Sequence, residues 1–279
     1  MELYKDQFDS KYDLVLEENT SRKYLIIAST ARSGSHMLGH ALHDTGLFGY
    51  PLEYVNPSNL EQWKKITQED SFEGVLNSIK SRRTSSNGVF AIKVHYSHIK
   101  QFGSFQNFTK HFPEAHVILI TRKNILKQAV SFVIASQSGN WISGQTSKKK
   151  KPIYDGNRIK MIMKRTMLEN ASWKYNLQIS GSNYLEMEFE NIVANIPRAI
   201  HEVADFMNVD ISHTSIPSKP VTKRQSSSIN EEWEQKFLKQ NFSGEDISSD
   251  LHSMYEGANF RGQIRRLARK TRKIFRVYR

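Results

Sequence analysis

Short apolar runs alternate along this chain with longer stretches of helical pattern. Three runs rich in β-branched residues predict buried parallel strands, and a fourth, in which apolar and polar residues alternate, predicts another strand. Strands alternating with helices predict right-handed βαβ units, and therefore an α/β fold whose mainly parallel sheet is flanked by helices. The predicted strands are Tyr24–Thr30, Val89–Val94, His116–Thr121 and Tyr184–Phe189, and the predicted helices are roughly Ser35–Thr45, Ser71–Arg83, Ile99–Phe112, Ile125–Ser136, Ile196–Met207 and one beginning near Glu231.

Two polar stretches interrupt this pattern and predict loops. Ser138–Asn157 contains Gly, Pro and four consecutive lysines, a run that is more often a solvated surface than a binding site. Val221–Asn230 predicts a second loop. Since no shift in composition marks a boundary, we expect one domain over residues 1–260 and a separate tail over residues 261–279.

Composition narrows the class of protein. The 279 residues are 38% hydrophobic and include no cysteine, which excludes disulfides, thiolate metal sites and cysteine nucleophiles. The first 23 residues have no apolar core of a signal peptide, and no apolar run is long enough for a membrane helix. We therefore expect a cytoplasmic protein.

The net charge of +12 is concentrated at one end of the chain. Residues 261–279 carry nine Lys or Arg and no acid, so the rest of the chain has a net charge of only +3. A nucleic-acid-binding function for the whole chain loses most of its support, although binding through the tail and the lysine run stays an alternative.

The turn after the first strand, Thr30–His36, has the make-up of an anion site. Backbone N–H groups converge where a small-residue turn meets a helix N-terminus, and the helix dipole favours negative charge there. A nucleotide-hydrolysing P-loop would require a Lys directly after the glycine, whereas here the cation, Arg32, precedes Gly34. An ordinary βα turn capped by Ser35 is the alternative, and a P-loop-type small-molecule kinase is a weaker one.

A second anion site is predicted after the third strand. Arg122 follows the end of that strand, where open α/β sheets bind ligands, and Ser131 lies in the next helix. An Arg fork and a hydroxyl group suit a phosphate, although each residue alone is better explained as surface. Two anion sites on neighbouring strands suit a nucleotide that is charged at its 5′ and 3′ positions.

With these motifs in this order, the chain resembles the PAPS-dependent sulfotransferases (PAPS is 3′-phosphoadenosine-5′-phosphosulfate), in particular the bacterial trehalose 2-sulfotransferase family. The matching segments are TARSGSH at 30–36, GLFGYPLEYV at 46–55, the strand with Lys93, the stretch from Arg122 to Ser131, Trp141, Tyr154-Asp155, residues 170–173, Phe189-Glu190, residues 223–225 and Glu232-Trp233.

The resemblance implies a P-loop-like three-layer α/β fold and in-line attack of a carbohydrate or glycolipid hydroxyl on the sulfur of PAPS, without a metal. It also implies a homodimer. Glu53 would be the general base, and Arg32 would take part in catalysis. The implied donor-binding residues are Arg32, Ser33, Gly34, Ser35 and His36 for the 5′-phosphosulfate, and Arg122, Ser131 and Arg224 for the 3′-phosphate.

His36 departs from the family pattern, which has a hydroxyl residue at this position. His36, His40 and His43 also fall on one face of the first predicted helix, so a zinc site is a minor alternative to a half-buried histidine stripe.

The tail, residues 261–279, has apolar residues at three- and four-residue steps and basic residues elsewhere. This pattern suits a helix on an anionic membrane, and equally a helix docked on the core or a disordered tail.

Overall fold

The computed structural model describes residues 6–14, 22–141, 151–219 and 228–241. The predicted tail, Arg224 and the domain boundary at residue 260 lie outside these ranges. The chain divides into a unit of residues 1–231 and a unit of residues 232–279. In the second unit, the described residues are the end of one helix.

Four parallel strands form the sheet of the first unit, in the order β2-β1-β3-β4. All four lie where the sequence predicts strands: three are apolar runs rich in β-branched residues, and the fourth is the segment in which apolar and polar residues alternate. The strands are β1 (Lys23–Ser29), β2 (Val89–His95), β3 (His116–Thr121) and β4 (Tyr184–Glu188).

Helices connect the strands and cover both faces of the sheet. They are α1 (Ser35–His43), α2 (Pro57–Thr67), α3 (Phe72–Arg83), α4 (Phe105–His111), α5 (Ile125–Ser138), α6 (Gly156–Ile179), α7 (Phe189–Ala194) and α8 (Ile196–Met207), with short 3-10 turns at Asp6–Phe8, Ser10–Tyr12 and Tyr96–Phe102. A further helix, α9 (Ser228–Asn241), follows later in the chain.

The core lies in two layers, because successive strand residues point to opposite faces of the sheet. Ile26 and Ala28 of β1 face one layer, where they join aromatic residues and Trp173 of α6. Leu25 and Ile27 face the other layer, formed with α1 and α8. The predicted three-layer α/β architecture is confirmed.

Several element boundaries differ from the prediction. The helix predicted over Ile99–Phe112 is broken at Gly103, whose φ of 78° is left-handed, so a 3-10 turn precedes α4. The strand predicted to end at Phe189 ends one residue earlier, since Phe189 begins α7. Helices α2 and α6 were not predicted.

Candidate active site

The carboxyl ends of β1, β2 and β3 meet at one edge of the sheet, and those predicted site residues that the structure describes gather there. Ser29 ends β1 beside His95, the last residue of β2, in the strand register. On its other side, Ser29 pairs with Ile120 near the end of β3. This is the edge at which parallel α/β sheets bind their ligands.

The loop between β1 and α1 bends through two left-handed residues, Arg32 (φ 65°) and Gly34 (φ 88°). A Cβ atom on Gly34 would lie only 2.1 Å from Cδ2 of Phe189, so this position requires glycine for space as well as for conformation. The N-terminus of α1 begins directly after Gly34. The ring of Phe189 therefore packs directly on Gly34, and the N-terminus of α1 beside it presents backbone N–H groups to the site.

Ser33, inside this loop, is fully buried, and its Oγ has no hydrogen-bond partner among the described residues. A buried hydroxyl group without a partner is costly, and a bound anion would accept its hydrogen bond. Ser35, also buried, begins α1. The loop thus fits the anion site that the sequence predicts.

Gln128 of α5 holds the loop between β1 and α1 in place through two hydrogen bonds. Its Nε2 donates to Oγ1 of Thr30 at 2.9 Å and to the carbonyl of Ala31 at 2.8 Å. Gln128 was not among the predicted site residues, although it lies inside the motif that ends at Ser131. A glutamine in that motif was the available signal.

The second predicted anion site lies against the first. Nε of Arg32 donates to Oγ of Ser131 at 2.9 Å, and Nη1 donates to the carbonyl of Trp141. Nη1 of Arg122 donates to the carbonyl of Arg32 at 3.1 Å. Arg32 and Ser131, predicted at opposite ends of a nucleotide, are therefore in direct contact, and one cluster contains both guanidinium groups.

The two arginines make this cluster strongly positive. Burial, together with the charge of Arg122, lowers the pKa of Arg32 to about 10. The guanidinium of Arg122 lies 4.4 Å from the ring centre of Phe189, and its Nε is 3.9 Å from a carboxylate oxygen of Glu190. A phosphate placed here would face two guanidinium groups.

Glu53, the predicted general base, lies in the loop after α1 and faces the end of β2. Its Oε1 is 2.7 Å from Nζ of Lys93 and 2.9 Å from Nε2 of His95. Nδ2 of Asn56 donates to its other oxygen, Oε2, at 3.3 Å. A backbone hydrogen bond from Lys93 to the carbonyl of Leu52 joins this loop to β2 at 3.0 Å.

Charge decides the protonation of Glu53. Burial by itself raises the pKa of this carboxyl, but Lys93 and then His95 outweigh it, so the pKa lies well below its ordinary value. Behind it, Nδ1 of His95 lies 3.0 Å from Oγ of Ser29. Ser29 is fully buried, which excludes it as a nucleophile for a bulky substrate.

His36, at the start of α1, completes the site. Its Nε2 lies 3.0 Å from Nε2 of His40, while Nδ1 of His43 lies 2.9 Å from the carbonyl of Gly49. The three histidines therefore do not converge on one point. Among the described residues, no group of three or more His, Asp or Glu side chains is placed to hold a metal ion.

No helix within the described ranges is both long and apolar enough to cross a membrane.

Several solved structures resemble the chain at low sequence identity. A sulfotransferase from Alicyclobacillus acidocaldarius is 13% identical, with a TM-score of 0.46, over 79% of this chain and 92% of its own. Sulfotransferase STF9 from Mycobacterium avium is 9% identical, with a TM-score of 0.42, over 82% and 70%. A mouse sulfotransferase complexed with PAP is 13% identical, with a TM-score of 0.38, over 80% and 68%.

No curated protein matches the sequence. The family assignment rests instead on a family sequence model, described as Stf0 sulphotransferase, which matches residues 23–240. This match covers all four strands, the loop after β1, Glu53 and the arginine cluster. The chain belongs to the Stf0 sulphotransferase family.

Proposed function

We propose that this chain transfers a sulfonate group from PAPS to a hydroxyl group of a carbohydrate or glycolipid acceptor. The observation that carries the proposal is the contact of the Glu53 carboxylate with Lys93 and His95, near the loop that precedes α1. A carboxylate repels the sulfonate group of PAPS, because both are anions, so Glu53 does not serve to bind the donor. It suits the removal of a proton from an acceptor hydroxyl.

The residues at the sheet edge fit PAPS. The partnerless Oγ of Ser33 and the N–H groups at the start of α1 suit a group that brings hydrogen-bond acceptors close to the backbone. Arg122 and Ser131 would hold the 3′-phosphate. Because Arg32 contacts Ser131, its guanidinium can serve both ends of the donor. The residues that would hold the 5′-phosphosulfate are Arg32, Ser33, Gly34, Ser35 and His36.

PAPS supplies the sulfonate: the bond from sulfur to the 5′-phosphate oxygen breaks as the acceptor oxygen bonds to sulfur. The acceptor proton goes to Glu53. Because Lys93 and His95 both hold Oε1, the oxygen left to receive this proton is Oε2, where Asn56 is the only described donor and its contact is long at 3.3 Å. The carboxylate is thereby oriented as well as ionised.

Lys93 and Arg32 would stabilise the negative charge that accumulates on the departing 5′-phosphate. Lys93 is buried and Arg32 is half-buried, so both charges act through a lower effective dielectric than in water. The Glu53 carboxylate partly offsets the charge of Lys93 until it takes the acceptor proton. Proton transfer would therefore leave Lys93 with more effect on the leaving group.

The carbohydrate or glycolipid acceptor, the homodimer and the cytoplasmic location rest on the family resemblance and the composition. The basic tail, residues 261–279, adds a membrane surface to the proposal, because its sequence pattern combines one apolar stripe with nine Lys or Arg. Each of those charges contributes about 1 kcal/mol at an anionic surface. A glycolipid acceptor would then be reached from the membrane while PAPS is drawn from the cytoplasm.

Mass spectrometry tests the transfer itself. The protein is incubated with PAPS and cell extract, and products that gain one sulfonate group are compared with a matched Glu53→Gln reaction. We expect sulfonated carbohydrates or glycolipids in the first reaction alone. PAPS left unconsumed by the wild type in extracts from several sources would overturn the proposal.

Co-sedimentation with anionic liposomes tests the tail, using the full chain and a chain that ends at residue 260. We expect the full chain to sediment and the shortened chain to remain in the supernatant. Equal partitioning of the two, or no sedimentation of either, would rule out the membrane surface and leave a docked or disordered tail.

A further inference from the structure

His36 and His40 form a pair at the start of α1, of which the proposed mechanism uses only His36. The two Nε2 atoms are 3.0 Å apart, and the ring planes meet at 76° with their centres 4.4 Å apart. This is a side-chain hydrogen bond across one helical turn, at the i and i+4 positions. His36 contributes to the site, whereas His40 is buried behind it and is 3% exposed.

We propose that His40 is a positioning residue: its Nε2–H donates to Nε2 of His36, which fixes His36 in the tautomer that carries its proton on Nδ1 and makes it a neutral donor to the sulfonate. This inference rests on the proposed function, since it gives His36 a role toward the bound donor. It replaces the hydroxyl group expected at position 36 with an imidazole N–H.

The proton count between the two rings follows from the contact itself. A hydrogen bond between two imidazole nitrogens contains one proton, so one Nε2 carries it and the other accepts. If both nitrogens carried protons, the two N–H groups would repel each other at 3.0 Å. The tautomers of His36 and His40 are therefore coupled, and fixing one fixes the other.

The surroundings keep both rings neutral. Burial lowers the pKa of His36 well below its ordinary value, with further lowering by Lys93, His40 and Arg32, while Glu53 opposes the change. Burial, Lys93 and His43 lower the pKa of His40 to about 3. One carboxylate faces several cations here, so a proton added to the pair would find little compensation. Neutral rings are what a directional hydrogen bond between them requires.

The negative charge of the donor decides which histidine donates the hydrogen bond between His36 and His40. If His36 donated to His40, the Nδ1 of His36 would carry a lone pair, and a lone pair repels an anion. With His40 as the donor, His36 offers an N–H from its remaining nitrogen. The loop around it has the same polarity, since Ser33 is a hydroxyl donor and α1 begins with free N–H groups.

Packing around His40 holds its ring in place. The ring meets Tyr50 edge-on, with the centres 5.7 Å apart. His43, one turn closer to the end of α1, packs on the same Tyr50 ring at 4.1 Å but does not reach His36. His43 is therefore a matched control, because its loss disturbs the same helix and the same tyrosine without removing the hydrogen bond between His36 and His40.

The experiment compares His40→Leu, His40→Gln and His43→Leu in the full chain. Leucine fills space without a donor, whereas the glutamine amide nitrogen lies near the position of the histidine Nε2. Long-range ¹H–¹⁵N NMR reports which nitrogen of His36 carries the proton, without PAPS or an acceptor. PAP (the desulfonated donor product) binding by calorimetry and steady-state turnover are measured on the same samples.

We expect NMR to find the His36 proton on Nδ1 in the wild type, in His43→Leu and in His40→Gln, and a mixture of tautomers in His40→Leu. Turnover should fall about three- to tenfold in His40→Leu, the worth of one ordinary hydrogen bond, and recover in His40→Gln. A wild-type proton on Nε2 of His36, or equal turnover in all variants, would overturn the role of His40. Absence of PAP binding and turnover in the wild type, with the tautomer as expected, would instead reject the proposed function.

Discussion

Lys93 and Glu53 form an ion pair with 2.7 Å between Nζ and Oε1, and it joins the end of β2 to the loop after α1. The lysine is 4% exposed and the carboxylate 23% exposed, so the pair lies at the boundary between the core and the site. A buried ammonium group needs a partner, and the carboxylate supplies it. The same contact keeps Glu53 ionised, which links the stability of the site to its proposed chemistry.

The first prediction separates binding from catalysis at Glu53. Glu53→Gln keeps the size of the side chain but removes the proton acceptor, so turnover should drop by roughly 10²- to 10⁴-fold. PAP affinity should survive, because Glu53 is not among the residues predicted to bind the donor. Steady-state kinetics with PAPS and calorimetry with PAP measure the two effects.

Near-normal turnover in Glu53→Gln would contradict the assignment of the base. His95 would then be the next candidate, since its Nε2 lies 2.9 Å from the same carboxylate oxygen. A control at Glu61, on the surface of α2 where it pairs with Lys64, checks that losing an acid elsewhere has no effect.

The second prediction concerns the pH dependence that Lys93 imposes. Lys93 and His95 hold the pKa of Glu53 well below its ordinary value against the effect of burial, so the base stays ionised until the pH falls far below 4.5. In Lys93→Gln the effect of burial is less opposed, and the pKa rises. The acidic limb of the kcat profile should therefore move to higher pH in the variant.

A pH–rate profile of both proteins measures this shift. If the acidic limb of Lys93→Gln coincides with that of the wild type, Lys93 does not set the ionisation of Glu53. A lower turnover at every pH is expected in addition, because the variant also loses a cation at the site.

The fold was largely predictable because its strands carry a local signal. β1, β2 and β3 are continuous apolar runs, and in an α/β protein such a short run is typical of a buried parallel strand. Helix α6 was missed for two reasons. Its first residues follow a loop that contains Lys and Pro, and its buried residues, among them Ile159, Thr166 and Trp173, are separated by polar residues, so its apolar stripe is weak. Tertiary contacts hold α6 in place, among them the hydrogen bond that Nε1 of Trp173 donates to the carbonyl of Ser29 at 3.0 Å.

The site could be predicted only where the residue types of a local motif indicate their chemical role. Arg32, Gly34 and Arg122 follow strand ends, so topology brings them together. Nothing local marks Glu53, which became a candidate through the family resemblance alone. The contact of His36 with His40 is readable as i, i+4 spacing, but the hydrogen bond between them depends on ring orientations that spacing does not give.

The third prediction tests the arginine cluster. Arg32→Ala and Arg122→Ala should each weaken PAP binding about ten- to a hundredfold, since charge-assisted hydrogen bonds contribute roughly 1.5–3 kcal/mol each. Lys123→Ala is the control, because Lys123 neighbours Arg122 but pairs with Glu188 at the surface. Calorimetry gives the three affinities, and unchanged PAP affinity in both arginine variants would refute the donor site.

The last prediction concerns Gly34, where conformation and space are both demanded. An alanine there must adopt a φ of 88°, and its Cβ would lie 2.1 Å from Cδ2 of Phe189. Gly46→Ala is the matched control: its φ is 76°, but nothing lies within 4 Å of an added Cβ. The left-handed conformation costs both variants about 1–2 kcal/mol of unfolding free energy, and Gly34→Ala should lose more, together with PAP binding.

A double variant tests whether the clash causes the extra loss. When Phe189 is already alanine, the change Gly34→Ala no longer produces the clash, so it should cost less stability than it does in the wild type. Denaturant titration and calorimetry measure both quantities, and equal losses of stability at Gly34 and Gly46, with PAP binding intact, would show that the loop does not need the close packing of Phe189 on Gly34.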